Sequence, residues 1–381
     1  MEKGNINIPI LIIGGGPAGL ATSLTLSARG INHCLVEAKA LVPDKPGEAI
    51  PPNALPLFRQ LGIDSLLQHK VHRPYYGNKS AWGEAELRQE SFVKELHGAG
   101  MLLNRGYFEQ QMRTRIENPF CQYLSGYKLQ QLTPQPDGVN AIVKGVKNTL
   151  HISATMVIDA TGRKSSLCQQ LGVERQLIDE QFAMAFYARP KTDLTHEIVV
   201  EATESGWWYA APVDADRLSL MYFTEKSILP KPGVTADEIR ALLGKTKFIS
   251  DMLAVDHQQY SSVKLMPAGT SCLPAPYGQT WLAVGDAAYA YDPISSFGIT
   301  SALASGYYAG HALADHLSGK PGALEVYRYI MENSFQAYLQ KLAHQYGQEQ
   351  RWPTSPYWSQ RPGQGNVKPE PDQRKNLTAT P

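Results

Sequence analysis

Cysteine is scarce in this chain of 381 residues: Cys34, Cys121, Cys168 and Cys272 are the only four, and they lie far apart. No C-x-x-C or other metal-binding spacing occurs among them, which excludes a disulfide scaffold, a zinc ribbon and a thiol redox pair. An excess of one charge is missing as well. Lys and Arg number 36 against 35 Asp and Glu, a formal net charge of +1 that gives no reason to expect nucleic acid or an acidic membrane as partner. No window approaches the ~20 apolar residues of a bilayer span. The run at 8–13 is too short for a signal-peptide core, so a reduced, cytoplasmic chain is expected. Ser-His-Asp and Cys-His constellations are also missing. His69 and His72 form an H-x-x-H without further ligands at suitable spacing, and read as surface or loop histidines.

What is present begins at the N-terminus. Ile8-Pro-Ile-Leu-Ile-Ile-Gly14-Gly-Gly16-Pro17-Ala18-Gly19 is an apolar run ending in G-x-G-x-x-G. A helix-compatible segment follows, then a second apolar run, Cys34-Leu-Val-Glu37. Strand, turn, helix and strand with an acid at its tip is the arrangement that binds a dinucleotide. Gly14 permits the tight turn, Gly16 lets the backbone approach a pyrophosphate, and Gly19 lets helix and strand pack closely. The helix start, with Pro17 and Ala18, aims N–H groups at the phosphates. Glu37 is placed to accept hydrogen bonds from the adenosine ribose.

Two distant turns refine the reading. Val157-Ile-Asp159-Ala-Thr-Gly162 and Val284-Gly285-Asp286 each close an apolar strand. Together with the first motif they resemble the FAD-dependent oxidoreductases of the glutathione-reductase-like, group A monooxygenase type. That resemblance implies FAD, with Asp286 on its ribitol; no Cys or His sits in a flavin-linking motif, so noncovalent binding is expected. It also implies that Pro293, Gly298 and Ile299, in Tyr291-Asp-Pro293-Ile-Ser-Ser-Phe-Gly298-Ile299, border the isoalloxazine. A helix N-terminus there would stabilise the negative charge of reduced flavin. Gly47-Glu48-Ala49-Ile50-Pro51-Pro52 resembles the G-E-x-x-P-P loop of the tryptophan-halogenase-like branch, which implies that Glu48 and Ala49 skirt the flavin. Leu103-Asn-Arg105-x-x-Phe108 resembles the family's arginine-bearing helix start, and cofactor contact is carried onto Arg105.

The length exceeds what one hydrophobic core usually serves. The fold class expected is α/β, a glutathione-reductase-like FAD-binding fold with an inserted antiparallel-sheet substrate domain and a C-terminal helix. The FAD domain is placed at 1–76, 100–178 and 271–322, and the substrate domain at 77–99 and 179–270. A helix and docking segment occupies 323–360, and a disordered tail 361–381. Thr235-Ala-Asp-Glu238 is a capping box for a helix to about Leu243. Leu324, Tyr327, Met331, Phe335, Tyr338, Leu342 and Tyr346 recur at steps of three and four, one apolar stripe on a helix reaching about Gln350.

Gly206-Trp207-Trp208-Tyr209 places Trp207 and Tyr209 on one strand face and Trp208 on the other. Trp207 and Tyr209 could line a substrate pocket, and both tryptophans could equally be core. The halogenase W-x-W-x-I-P sequence is not matched, which counts against chlorination. The G-E-x-x-P-P loop at 47–52, Asn78-Lys79-Ser-Ala-Trp82-Gly83, Leu103-Asn-Arg105-x-x-Phe108, this aromatic strand and Gln348-Glu-Gln-Arg351-Trp352-Pro-x-Ser-Pro-Tyr-Trp358 together resemble the flavoprotein maturases of cysteine tryptophylquinone enzymes. These are typified by the glycine-oxidase and lysine-oxidase maturation proteins. The resemblance implies hydroxylation of a tryptophan in a precursor oxidase. It also suggests Lys79 as the polar group beside the substrate, because halogenases use a pocket lysine. Only one dinucleotide fingerprint exists, so NAD(P)H or another reductant would visit transiently. The aromatics at 207–209 and 352–358 are candidates for the partner-binding surface. Two alternatives stay open: a group A hydroxylase or halogenase of a free aromatic molecule, and a flavoprotein chaperone of a quinoprotein precursor.

Overall fold

The computed structural model describes residues 4–43, 45–92, 96–191, 197–230, 234–254 and 260–363. Two large sheets organise them. In the first, strands Cys121–Ser125, His33–Glu37 and Gly4–Ile13 run parallel in that order, followed by Thr149–Asp159. The last strand is long enough to take two partners along its outer edge. Its first half pairs antiparallel with Gly138–Lys144, and its end pairs parallel with Trp281–Ala283. Lys128–Gln135 completes the sheet. The strand ends at Ile13, Asp159 and Ala283 lie in register, so the three turns that follow them converge. This register makes one site from segments that lie far apart in the chain.

The helices Pro17–Ala28 and Gly298–Leu317 cross closely against this sheet. A Cβ at Gly306 would lie 2.3 Å from the Ala18 carbonyl oxygen, and one at Gly310 2.6 Å from the Thr25 Cβ. Only glycine permits that approach. The helix Ala323–Gly347 buries all seven residues of its periodic stripe, Leu324 to Tyr346. Each such side chain stabilises the fold by roughly 1.5–3 kcal/mol. The helix ends a turn before the expected Gln350.

The second sheet is ordered 264–267, 182–188, 218–224, 206–212, 197–203, 77–81, 88–91. All its pairings are antiparallel except that of Gly77–Ala81 with Glu197–Thr203. Its central strands are covered on both faces. Trp207, Tyr209, Met221 and Phe223 join the main core, while Trp208, Leu220 and Tyr222 form a second core with Ile239 and Leu243. Those last two come from the helix Ala236–Leu243, opened by the Thr235–Glu238 capping box. No described helix is long and apolar enough to cross a membrane.

Packed chain extends past 360, where a disordered tail was expected to start. Arg361 is buried, its guanidinium paired with Asp179 at 2.5 Å. Residues 364–381 of that tail lie outside the described residues.

Candidate active site

A cavity of about 570 Å³ runs from the first glycine turn to the second sheet. At one end, Gly14 and Gly19 are fixed by packing: Cβ atoms there would sit 2.2 Å from Ala160 O and 1.9 Å from Gly14 O. Gly16 differs. A Cβ on Gly16 meets nothing within 4 Å, and Gly16, Pro17 and Ala18 line the cavity. Gly16 is also the N-cap of its helix with no side-chain cap, so the first-turn N–H groups face the opening without an internal partner. Glu37 is held at the rim by the N–H groups of Gly15 (2.6 Å) and Lys39 (2.8 Å). Its carboxylate therefore has a fixed orientation. Arg113, which sequence reasoning passed over, lies 3.8 Å from Glu37 and also lines the cavity.

Asp159 turns inward, accepting from Thr161 N–H and Oγ1 and from the N–H groups of Leu167 and Cys168. It shapes the A-T-G turn. Asp286 lines the cavity with Arg163 Nε 3.4 Å from its carboxylate. Arg163 also donates to the carbonyls of Gly269 and Tyr291, and Arg175 donates to those of Asp286 (2.9 Å) and Ala287 (2.7 Å). These two arginines fix the G-D turn, and neither was singled out from sequence. The position of Arg163 directly after A-T-G was the available signal. Asp286→Ala is expected to weaken flavin binding by about 1.5–3 kcal/mol, the worth of a charge-assisted hydrogen bond, and so to lower occupancy. Flavin absorbance per chain in the purified variant measures it.

Pro293, Gly298 and Ile299 line the same cavity, and the helix starts at Gly298. A Cβ on Gly298 also meets nothing within 4 Å, a second open backbone position. Just before the loop lies fully buried Asp292. It accepts from Ile294 N–H (2.8 Å), Tyr346 OH (2.9 Å) and Gln181 Nε2 (3.1 Å). Tyr346 OH in turn accepts from the indole N–H of Trp207 at 3.1 Å. Burial, then the nearby Asp179, push the Asp292 carboxyl up from 3.8 to about 7, against hydrogen bonds from Ile294 and Tyr346 and the charge of Arg361. The folded chain thus holds a proton that the unfolded chain releases near pH 4, and stability falls as pH rises through that window to about 7. Asp292→Asn keeps the cap and should remove this loss, on the order of 4 kcal/mol. Thermal unfolding of both proteins at mildly acidic and mildly basic pH checks it.

Arg105 opens the helix Arg105–Arg115, lines the cavity, and donates to the Gly47 carbonyl at 2.6 Å. Glu109, itself paired with Lys45, holds its guanidinium at 2.5 Å. Ala49 lines the cavity, but Glu48 departs from expectation. Its carboxylate is buried behind the wall, accepting from Tyr209 OH (3.1 Å) and Ser219 Oγ (3.5 Å). Burial lifts it to about 6, partly countered by the Tyr209 hydrogen bond and by Arg105. Glu48 supports Tyr209 and does not itself border the cavity.

Trp207 and Tyr209 do line the cavity, with Phe223 stacked on Trp207 at 4.0 Å. Lys79 does not. It is in register with Val199 and through it with Ala210, on the Trp208 face that turns away from the cavity, and its ammonium pairs with Glu197 at 2.5 Å. Lys79 therefore does not stand beside the cavity, contrary to the role expected for it. Lys79→Ala is expected to leave the flavin spectrum and turnover unchanged and to cost about 1 kcal/mol of stability. Steady-state turnover and thermal melts check both parts. His72 lies in the loop before the strand Arg73–Tyr75, as a loop histidine was expected to, yet not at the surface. It is buried, its Nδ1 accepts from the Asn104 N–H at 3.0 Å, and burial lowers it to about 4. Most of the aromatics proposed as a partner surface are interior too: Trp207, Trp208, Tyr357 and Trp358 are each no more than 1% exposed and Tyr209 is buried, which leaves Trp352 partly exposed.

A bare helix N-terminus, two open glycines and a fixed acid at either end of one apolar cavity fit an extended dinucleotide. The FAD binding domain family matches residues 7–340. The chain belongs to that family. It is a FAD-dependent oxidoreductase. It is 26% identical over 357 residues to "Putative FAD-dependent oxidoreductase LodB" of Marinomonas mediterranea, covering 92% of this chain and 96% of that protein. Among solved structures, the myxobacterial chondrochloren halogenase CndH superposes with TM-score 0.84 at 19% identity, covering 96% of this chain and 87% of that one. The peptidyl tryptophan dihydroxylase QhpG, described as essential for tryptophylquinone cofactor biogenesis, superposes with TM-score 0.77 at 20% identity. That match covers 95% of this chain and 80% of the other. FAD supplies the redox chemistry. Gly16 and the helix start would hold its pyrophosphate, Glu37 the adenosine ribose, Asp286 the ribitol, and Gly298 and Ile299 the flavin edge.

Proposed function

We propose that this flavoprotein oxygenates a tryptophan side chain of a precursor oxidase during tryptophylquinone biogenesis. One observation carries the reading. Three of the five segments that resemble the tryptophylquinone maturases, far apart in sequence, pack into one unit against the cavity. Trp82 meets Trp207 at 6.1 Å and Trp358 at 5.3 Å between ring centroids. Gly83 N–H donates to Glu349 at 2.8 Å, and Arg351 donates to the Ala81 carbonyl. The likeness to LodB over nearly both full lengths supports the same reading.

In this role the protein's own groups orient and exclude. Trp207, Tyr209 and Phe223 provide an apolar wall that keeps water from the reacting ring. Glu48 and Ser219 fix Tyr209, and Asp292 and Tyr346 fix Trp207. FAD carries the oxygen chemistry. NAD(P)H or a similar donor would reduce it in passing. The test is capture of a quinoprotein precursor by the tagged FAD-loaded protein. Stable capture supports the reading. Rapid turnover of a free indole or phenol without capture would establish a small-molecule hydroxylase instead.

A further inference from the structure

Four of the six tryptophans form a continuous file from the cavity toward the surface. Trp207 lines the cavity, and two hydrogen bonds through Tyr346 connect it to Asp292 at the start of the flavin-edge loop. Trp82 stands edge-on to Trp207 at 6.1 Å, Trp358 edge-on to Trp82 at 5.3 Å, and Trp352 is stacked on Trp358 at 6.2 Å. All three separations fall within the roughly 4.5–7 Å of aromatic contact. Trp82 and Trp358 are buried, whereas Trp352 is partly exposed. The file therefore has an inner end at the redox cavity and an outer end at solvent.

Indole is among the most easily oxidised side chains, and one-electron transfer between indoles in contact is fast. Proton management favours transfer here. The Trp82 N–H donates to the Gln345 carbonyl at 2.7 Å and the Trp358 N–H to the Thr203 carbonyl at 2.9 Å. An amide oxygen steadies the N–H of an oxidised indole but is too weak a base to remove its proton. Charge can then pass without a proton being lost on the way. At the outer end Arg351 lies over Trp352 at 4.3 Å, and its positive charge is offset by Glu349 at 2.6 Å.

We propose that Trp207, Trp82, Trp358 and Trp352 form a one-electron conduit that drains strongly oxidising equivalents from the flavin cavity to the surface. The conduit requires FAD in the cavity and is independent of which substrate is oxygenated. An oxidant in the cavity, either photoexcited flavin or an oxygen-centred radical left by unproductive turnover, takes one electron from Trp207. Trp207 recovers it from Trp82, Trp82 from Trp358, and Trp358 from Trp352. A soluble one-electron donor such as ascorbate refills Trp352. In net terms the donor loses one electron and the oxidant gains it, an oxygen-centred radical also taking one proton from solvent. No bond between heavy atoms breaks in the chain. Drainage would spare the aromatic cavity wall from oxidation when no substrate is present.

The test is a blue-light pulse on the FAD-loaded protein, followed by transient absorption of the tryptophan radical with and without ascorbate. The native protein is expected to form a long-lived radical that ascorbate quenches. Trp82→Phe should confine the radical to Trp207 and remove more than half of the long-lived signal. Trp352→Phe, a conservative aromatic change at a partly exposed position, should retain charge separation but lose quenching by ascorbate. It decides the question even if Trp82→Phe fails to load flavin. Unchanged radical lifetime and unchanged quenching in Trp352→Phe would overturn the conduit.

Discussion

Gly16→Val should give a folded protein that carries no flavin. The backbone at Gly16 is extended (φ −83°, ψ −177°), a region open to a β-branched residue. Among the described residues its Cβ would meet no atom within 4 Å beyond its chain neighbours, so the fold has no reason to object. The added methyl groups would instead occupy the space beside the bare helix N-terminus, where a pyrophosphate has to approach the backbone. Binding is expected to weaken at least ~100-fold, about 2.8 kcal/mol. The neighbouring glycines provide the contrast. A valine at Gly14 would clash with the Ala160 carbonyl and meet a φ of +115°, so misfolding is expected there. Circular dichroism together with flavin absorbance after incubation with FAD separates the two cases. A yellow Gly16→Val protein with an unchanged spectrum would remove the glycine turn from the cofactor site.

The second large effect concerns the substrate. Free tryptophan should neither bind tightly nor accelerate flavin reduction. A lone side chain buries too little surface to offset the entropy lost on association, whereas a protein partner can bury ~1,200–2,000 Å² in total. Affinity for a precursor should accordingly exceed that for free tryptophan by at least ~1,000-fold, about 4 kcal/mol. Calorimetry with each ligand, and stopped-flow flavin reduction in its presence, measure the difference. Because the tryptophans at 207, 208 and 358 are interior, mutating them should disturb packing, and at Trp207 the cavity wall, and not remove a docking patch.

What could be read in the sequence was local. Gly14, Gly16 and Gly19 identify themselves because turn, approach and packing each act within six residues. The stripe from Leu324 to Tyr346 follows from helix periodicity, and Thr235 with Glu238 from cap chemistry. Strand parity correctly separated Trp207 and Tyr209 from Trp208. It could not say that both faces would be covered, because that depends on the helix Ala236–Leu243 and on the cofactor domain. Lys79 failed for a related reason. Its face is set by pairing with Glu197–Thr203, more than a hundred residues away, and nothing local encodes that register. Glu48 sits one residue from cavity-lining Ala49 yet turns to Tyr209 and Ser219 on distant strands. Arg163 and Arg175 were overlooked because an arginine's carbonyl partners are visible only once the chain is folded.

The most direct measurement is co-expression of the FAD-loaded protein with its candidate precursor, followed by intact mass and peptide mapping of the precursor. The expected result is a mass gain of one or two oxygen atoms, localised to a tryptophan and absent when Gly16→Val replaces the native protein. A precursor of unchanged mass, alongside rapid oxygenation of a free indole or phenol, would contradict oxygenation of a protein-borne tryptophan.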